Sequence, residues 1–182
     1  SGEQETDKSF LGLLNGEEAV IAGLHDITNV LLGKALLNDI IFMILETMYR
    51  GFSFHRGILC IMDNKTRKMG ARFTLGSVSQ HIMDNFWFDV GQSSDVFSKA
   101  VTGNQDMIIN NADDPAIKDR IPKWYRNLIG MSSFVIYPIV VKGKPIGIFY
   151  ADKKTQGNIL SENEINQMKI LRNLALLAIR QH

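Results

Sequence analysis

Residues 133–152 read SFVIYPIVVKGKPIGIFYAD, and this stretch decides the fold. Two β-rich runs, 133–141 and 145–152, are joined by Lys142-Gly143-Lys144, and a tight glycine-bearing turn between such runs predicts a β-hairpin. Pro138 brings no N–H to a ladder, which puts it at a bulge or on an edge face. Downstream, Ser161 with Glu164 three residues on is a capping box that opens a final helix. Its polar residues Asn166, Lys169, Asn173 and Arg180 share one narrow stripe. Ile165, Met168, Leu171, Ala175 and Ala178 fill one side of the remainder, and Ile170, Leu174 and Leu177 another. An apolar arc wider than ~100° predicts two partners, the helix's own sheet and a second subunit.

Upstream, Gly57–Met62 is apolar throughout and ends in the turn cluster Asp63-Asn64-Lys65-Thr66, as a buried strand entering a hairpin would. Its partner alternates Met69, Ala71, Phe73 and Leu75 with Lys68, Gly70, Arg72 and Thr74, which predicts a sheet with one covered face. Between the hairpins the pattern is broken. A short helix is expected over 79–85, a strand over 86–90, a helix over 95–102 closed by Gly103, and a strand over 107–110. Asp114-Pro115 should cap another short helix, and residues 122–128 a further turn or two.

The N-terminal half is helical from Glu17, with Val20, Leu24, Ile27 and Leu31 on one stripe. Asn38-Asp39 could cap a second helix carrying Leu37, Ile41, Ile44 and Met48 until Gly51 stops it; one long kinked helix fits the pattern equally. Residues 1–15 lack periodicity and read as a linker, leaving 16–182 as one domain.

Twenty basic against nineteen acidic side chains give a net charge of +1, so no global field draws nucleic acid or an anionic membrane to this surface. Lys123-Trp124-Tyr125-Arg126 mixes bases with aromatics but reads as a solvated helix face. The single cysteine, Cys60, excludes an internal disulfide and fits a reducing cytoplasm. No spacing of Cys and His suits a metal, and His25, His55, His81 and His182 lie in no catalytic pattern, so no catalytic residue, metal or cofactor is expected.

Three stretches together resemble a GAF domain, a small-molecule-binding regulatory module of signalling proteins: GILCIMDNKTRKMGARFTLG (57–76), VGQSSDVFSKAVTGNQDMIINNADDP (90–115), and SFVIYPIVVKGKPIGIFYADKK (133–154) followed by LSENEI (160–165). In the third, Pro138, Gly143, Gly147 and Asp152 stand where the family has them. The resemblance implies an α/β (α+β) fold. Its centre is a five- to six-stranded antiparallel sheet, with terminal helices on one face and short helices and loops covering the other. It also implies a ligand pocket under the loop cover, a homodimer through the terminal helices, and a neighbouring signalling domain. Residues 25–54 look like the linker helix that follows a bacterial HDOD-type domain. The region of the family's cyclic-nucleotide signature departs from it at Asp152, Leu160 and Asn163.

On this basis the expected ligand-binding residues are Phe73, Trp87, Phe88, Asp89, Ser93, Ser94 and Phe97, with Asn110, Asn111, Asp113, Trp124 and Tyr125 as the opposite wall. Aromatic walls with a few polar anchors are what a pocket needs, and the same residues would equally serve as core, turns and caps. The expected dimer face is Val20, Leu24, Ile27 and Leu31 with Ile170, Leu174 and Leu177. The expected function is non-catalytic small-molecule sensing in a cytoplasmic bacterial signalling protein; the rival is a dimerising scaffold with a vestigial pocket.

Overall fold

Helices α1 (Gly16–Leu31) and α2 (Leu37–Gly51) lie side by side, in a computed structural model that describes residues 15–31, 36–155 and 157–181. Gly16 abuts the Gly51 backbone while Gly23 abuts Thr47, so the two helices run antiparallel and the single-long-helix reading is excluded. The expected linker falls, except for Asn15, outside the described residues. Asn38 and Asp39 do not cap α2: Leu36 holds that position without a side-chain bond, and both residues sit inside the first turn.

The chain continues through β1 (Arg56–Asp63), β2 (Lys68–Gly76), α3 (Gln80–Asn85), β3 (Trp87–Asp89), α4 (Val96–Thr102) and β4 (Met107–Ile109). After a 3-10 turn (Lys118–Arg120) come α5 (Lys123–Leu128), β5 (Ser133–Val141), β6 (Lys144–Lys153) and α6 (Glu162–Gln181). The strands form one six-stranded sheet in the order β3-β2-β1-β6-β5-β4, antiparallel at every pairing.

The local signals explain these elements. Lys142 and Gly143 both take positive φ, 50° and 75°, as a two-residue hairpin turn requires. Ser161 accepts from the Glu164 N–H at 3.1 Å while Glu164 accepts from the Ser161 N–H at 3.0 Å. Asp95 caps α4 and Ser79 caps α3. Pro138 lies past the end of β4, where no strand asks for its N–H, and its carbonyl accepts from Arg172 of α6 at 3.0 Å. Asp114-Pro115 starts a turn instead of a helix, because the Asp114 carboxylate bonds Ala116 N–H and the chain then closes into a single 3-10 turn.

The sheet divides two cores. On one face α1, α2 and α6 enclose Ile44, Leu59, Tyr137, Phe149, Met168 and Leu171; on the other the loops and short helices enclose Ile58, Cys60, Phe97, Phe134, Ile148 and Tyr150. The strict alternation expected of β2 breaks at Arg72. Leu59 pairs with Phe73 but Cys60 pairs with Ala71, so one extra residue bulges out. Met69 and Ala71 therefore face the loop side while Phe73 and Leu75 face the helices. Phe73 thus stands on the opposite face from its expected pocket.

The apolar stripe of α1 is spent inside the same chain: Val20 and Ile27 are fully buried, and Leu24 and Leu31 pack half-buried against the same core. They have little surface to offer a second copy. The outward apolar positions are Ile170 (48% exposed) and Leu177 (49%), with Leu174 half-buried between them and Ile21 (60%) on α1.

The helix pair fixes the sign of a substitution. A Cβ at Gly23 would overlap the Thr47 side chain, coming within 2.9 Å of its branched and therefore immobile Cβ. Alanine on a free helix surface gains up to about 1 kcal/mol over glycine, whereas Gly23→Ala should lose roughly 1–3 kcal/mol through overpacking. Urea unfolding of the variant checks the sign.

Candidate functional site

The space beneath the loop cover, where the pocket was expected, is filled with rings. Phe97 is fully buried and lies within 4.9 to 6.3 Å, centroid to centroid, of Phe86, Phe88, Trp124, Tyr125, Phe134 and Tyr150. A polar chain ties this cluster down. The Tyr125 hydroxyl lies 2.9 Å from that of Tyr150 and donates to the Met131 carbonyl at 3.1 Å; Tyr150 donates to Asp152 at 2.7 Å. Asp152 is fully buried and pairs with Arg56 at 2.8 Å through one oxygen, while Oδ1 has no hydrogen-bond partner. Burial pushes its carboxyl up to about 6, against the pull of Tyr150 and Arg56.

The open space lies beside this cluster, at the β3 edge, as a cleft of about 550 Å³. Helix α3 contributes His81 and Asn85, β3 contributes Trp87, Phe88 and Asp89, the following loop contributes Gln92, Ser93 and Asp95, and α5 contributes Trp124, Asn127 and Leu128. The floor is aromatic: Trp124 stacks on buried Phe88 with centroids 5.9 Å apart and an 11° interplanar angle. The rim is polar. Asp95 accepts from the Phe97 and Ser98 N–H groups at 2.9 and 3.0 Å, and the Ser93 hydroxyl donates to its second oxygen. Both tryptophans of the sequence line this one cleft.

Of the expected ligand-binding residues, the structure brings together Trp87, Phe88, Asp89, Ser93 and Trp124. Ser94 is exposed outside the cleft, and Phe97 and Tyr125 are core. The opposite wall is a set of tethers. Asn110 accepts from the Ile159 N–H at 2.9 Å, Asn111 accepts from the Asp113 N–H and the Ser132 hydroxyl, and Asp113 pairs with Arg126 at 3.0 Å. Arg126 also donates to the Ala112 and Lys118 carbonyls, so the basic-aromatic run at 123–126 braces loops. Sequence reasoning missed His81, Asn85, Gln92, Asp95, Asn127 and Leu128. His81 and Asn85 stand four apart on α3, and Asn127 and Leu128 stand three and four residues beyond Trp124 on α5, so helical spacing could have found them.

No family model matches the sequence, and no curated protein matches it. Solved structures do. A methyl-accepting chemotaxis protein fragment, residues 122 to 287, matches with TM-score 0.69 at 20% identity over 85% of this chain and 95% of that one. The GAF domain of an Acinetobacter phosphoenolpyruvate-protein phosphotransferase matches with TM-score 0.67 at 13% identity over 90% and 94%. The free methionine-R-sulfoxide reductase of Neisseria meningitidis, solved with its substrate, matches with TM-score 0.66 at 14% identity over 87% and 88%. At such identities the likeness shows the fold: this chain has the GAF fold, a six-stranded antiparallel sheet between helices and a loop cover. Among the described residues no helix is long and apolar enough to cross a membrane.

Whether Phe97 is core or pocket wall has a measurable consequence. Truncating a core ring costs about 3–5 kcal/mol, so Phe97→Ala should lose that much in urea unfolding. A ring lining an empty pocket would cost under about 1 kcal/mol.

Proposed function

We propose that the chain is a regulatory, non-catalytic module of a signalling protein and that a small molecule binds in the Trp87–Trp124 cleft. The observation that carries this reading is the cleft itself, an aromatic floor with a rim of hydrogen-bonding side chains at the edge of a rigid sheet. The fold supports a signalling context, since its likenesses include a chemotaxis protein and a phosphotransferase domain. It does not decide against catalysis, because a reductase shares it. The non-catalytic reading draws on Cys60: this lone cysteine is fully buried in β1, and burial pushes its thiol far up, away from the reactive thiolate. Ser93 donates to Asp95, a carboxylate occupied in capping α4, and among the described residues no histidine hydrogen-bonds it.

Binding would signal only if the molecule prefers one of two arrangements of the surrounding elements. Native mass spectrometry of the purified protein, followed by a thermal-shift screen of metabolites, tests the reading. A retained molecule, or one that stabilises the fold by roughly 2.7 kcal/mol at a hundredfold excess over its Kd, is expected. A protein that is empty and shifted by no metabolite overturns it.

A second reading, homodimerisation, is favoured by the outward stripe of Ile170, Leu174 and Leu177 on α6 and by exposed Ile21 on α1. Leu177→Glu should convert a dimer to a monomer in sedimentation velocity while leaving the monomer folded by circular dichroism. A wild-type protein that sediments as a monomer at all concentrations defeats this reading.

A further inference from the structure

Beneath the loop cover a buried carboxylate ends a row of hydroxyls. Tyr125 of α5 and Tyr150 of β6 belong to the core on that side, and Asp152, two residues beyond Tyr150 on the same strand, shares its face. Three contacts join them in line. Asp152 Oδ2 lies 2.7 Å from the Tyr150 hydroxyl, that hydroxyl 2.9 Å from the Tyr125 hydroxyl, and Tyr125 3.1 Å from the Met131 carbonyl.

Each contact needs one proton between its two oxygens, and each phenol brings one. With Asp152 ionised, the row has two protons for three contacts. If Tyr150 donates to Asp152 and Tyr125 to Met131, only lone pairs face each other between the two hydroxyls. If Tyr125 turns to Tyr150 instead, the Met131 carbonyl loses its donor. A proton on Asp152 Oδ2 supplies the missing one. Asp152 then donates to Tyr150, Tyr150 to Tyr125 and Tyr125 to Met131. The only new covalent bond is the carboxyl O–H; the Tyr150 hydroxyl turns from Asp152 toward Tyr125.

The groups around Asp152 oppose one another. Arg56 of β1, 2.8 Å from Oδ2, favours the carboxylate and brings its own protons, so it leaves the count in the row unchanged. Oδ1 is buried with no hydrogen-bond partner, which disfavours charge on it. Burial prevails and raises the carboxyl to about 6. His55, next to Arg56, holds the Asp152 carbonyl through its N–H at 2.8 Å; partial burial, then Lys154 and Arg56, lower its imidazole.

We propose that Asp152 is a proton-operated latch on the loop cover: taking up one proton completes the chain from Asp152 through Tyr150 and Tyr125 to Met131, and losing it leaves α5 one hydrogen bond short of the sheet. Helix α5 also carries Trp124, Asn127 and Leu128 of the cleft, so the proton acts on that wall. The latch operates whether or not the cleft holds a molecule.

The test is residue-resolved, because His55 opposes Asp152 in any bulk measurement. The raised value of Asp152 favours the folded state at low pH and is lost as pH rises through about 6; the lowered value of His55 favours it at higher pH. In carbon-13 NMR of the native protein, the Asp152 carboxyl should titrate at about 6, and the Met131 carbonyl should shift with the same midpoint. Tyr125→Phe removes the far end of the chain. Tyr150 alone then satisfies the ionised carboxylate, so the Asp152 midpoint should fall by about one pH unit, the scale of one hydrogen bond. Burial acting alone would leave that midpoint in place or raise it, since phenylalanine is the more apolar ring. A midpoint that stays or rises in the folded variant overturns the proposal, as does an Asp152 that titrates like an ordinary aspartate in the native protein. Should circular dichroism show the variant unfolded, the native Met131 carbonyl decides: one that does not follow Asp152 sinks the latch.

Discussion

The ladder between β1 and β6 is the constraint on which the rest depends. It joins two hairpins that are far apart in sequence, and residues 56 to 61 pair in continuous register with residues 152 to 147. The approach is close enough that Gly147 has no room for a side chain, because a Cβ there would run into the Cys60 carbonyl. With β1 and β6 central, both of their faces must be covered. Leu59 and Phe149 go under the helices, while Ile58, Cys60, Ile148 and Tyr150 go under the loop cover. A sheet with two covered faces needs two independent layers, and the terminal helices and the broken middle of the chain supply one each.

What was legible in the sequence is what local chemistry controls. The Lys142-Gly143 turn, the Ser161–Glu164 capping box and the Asp95 cap act through neighbours within four residues, and each forms as its pattern predicts. What was illegible depends on distant partners. Nothing in KMGARFTLG reveals that Arg72 is an extra residue, since the bulge exists only relative to β1; it is what sends Phe73 to the wrong face for a binding role. The apolar stripe of α1 is visible as periodicity, but whether it meets its own core or a second copy is decided by α2 and α6. Asn110, Asn111 and Asp113 look like pocket anchors until the loops they tether are known.

The same limit governs the candidate site. Aromatic residues between a sheet and a loop cover can wall a hollow or fill it, and composition cannot distinguish the two. Here six rings around Phe97 fill the interior, and the hydroxyls of Tyr125 and Tyr150 lock α5 to the sheet through Asp152. The open volume is displaced to the β3 edge, where a strand of three residues leaves room for α3 and α5 to stand apart from it.

That displacement places the cleft at one end of α4. Asp95 both lines the cleft and caps the helix, which ties the rim to the first turn through two hydrogen bonds. At the far end, Gly103 and Gln105 N–H groups close the helix onto the Lys99 and Ala100 carbonyls. The next residue, Asp106, receives Arg172 of α6 at 2.7 and 3.3 Å, and the same guanidinium holds the Pro138 carbonyl. A helix of seven residues is too short to bend, so its two ends move together. The cleft and the long C-terminal helix, remote in sequence, are therefore joined by one short helix and one bidentate ion pair that is largely shielded from water.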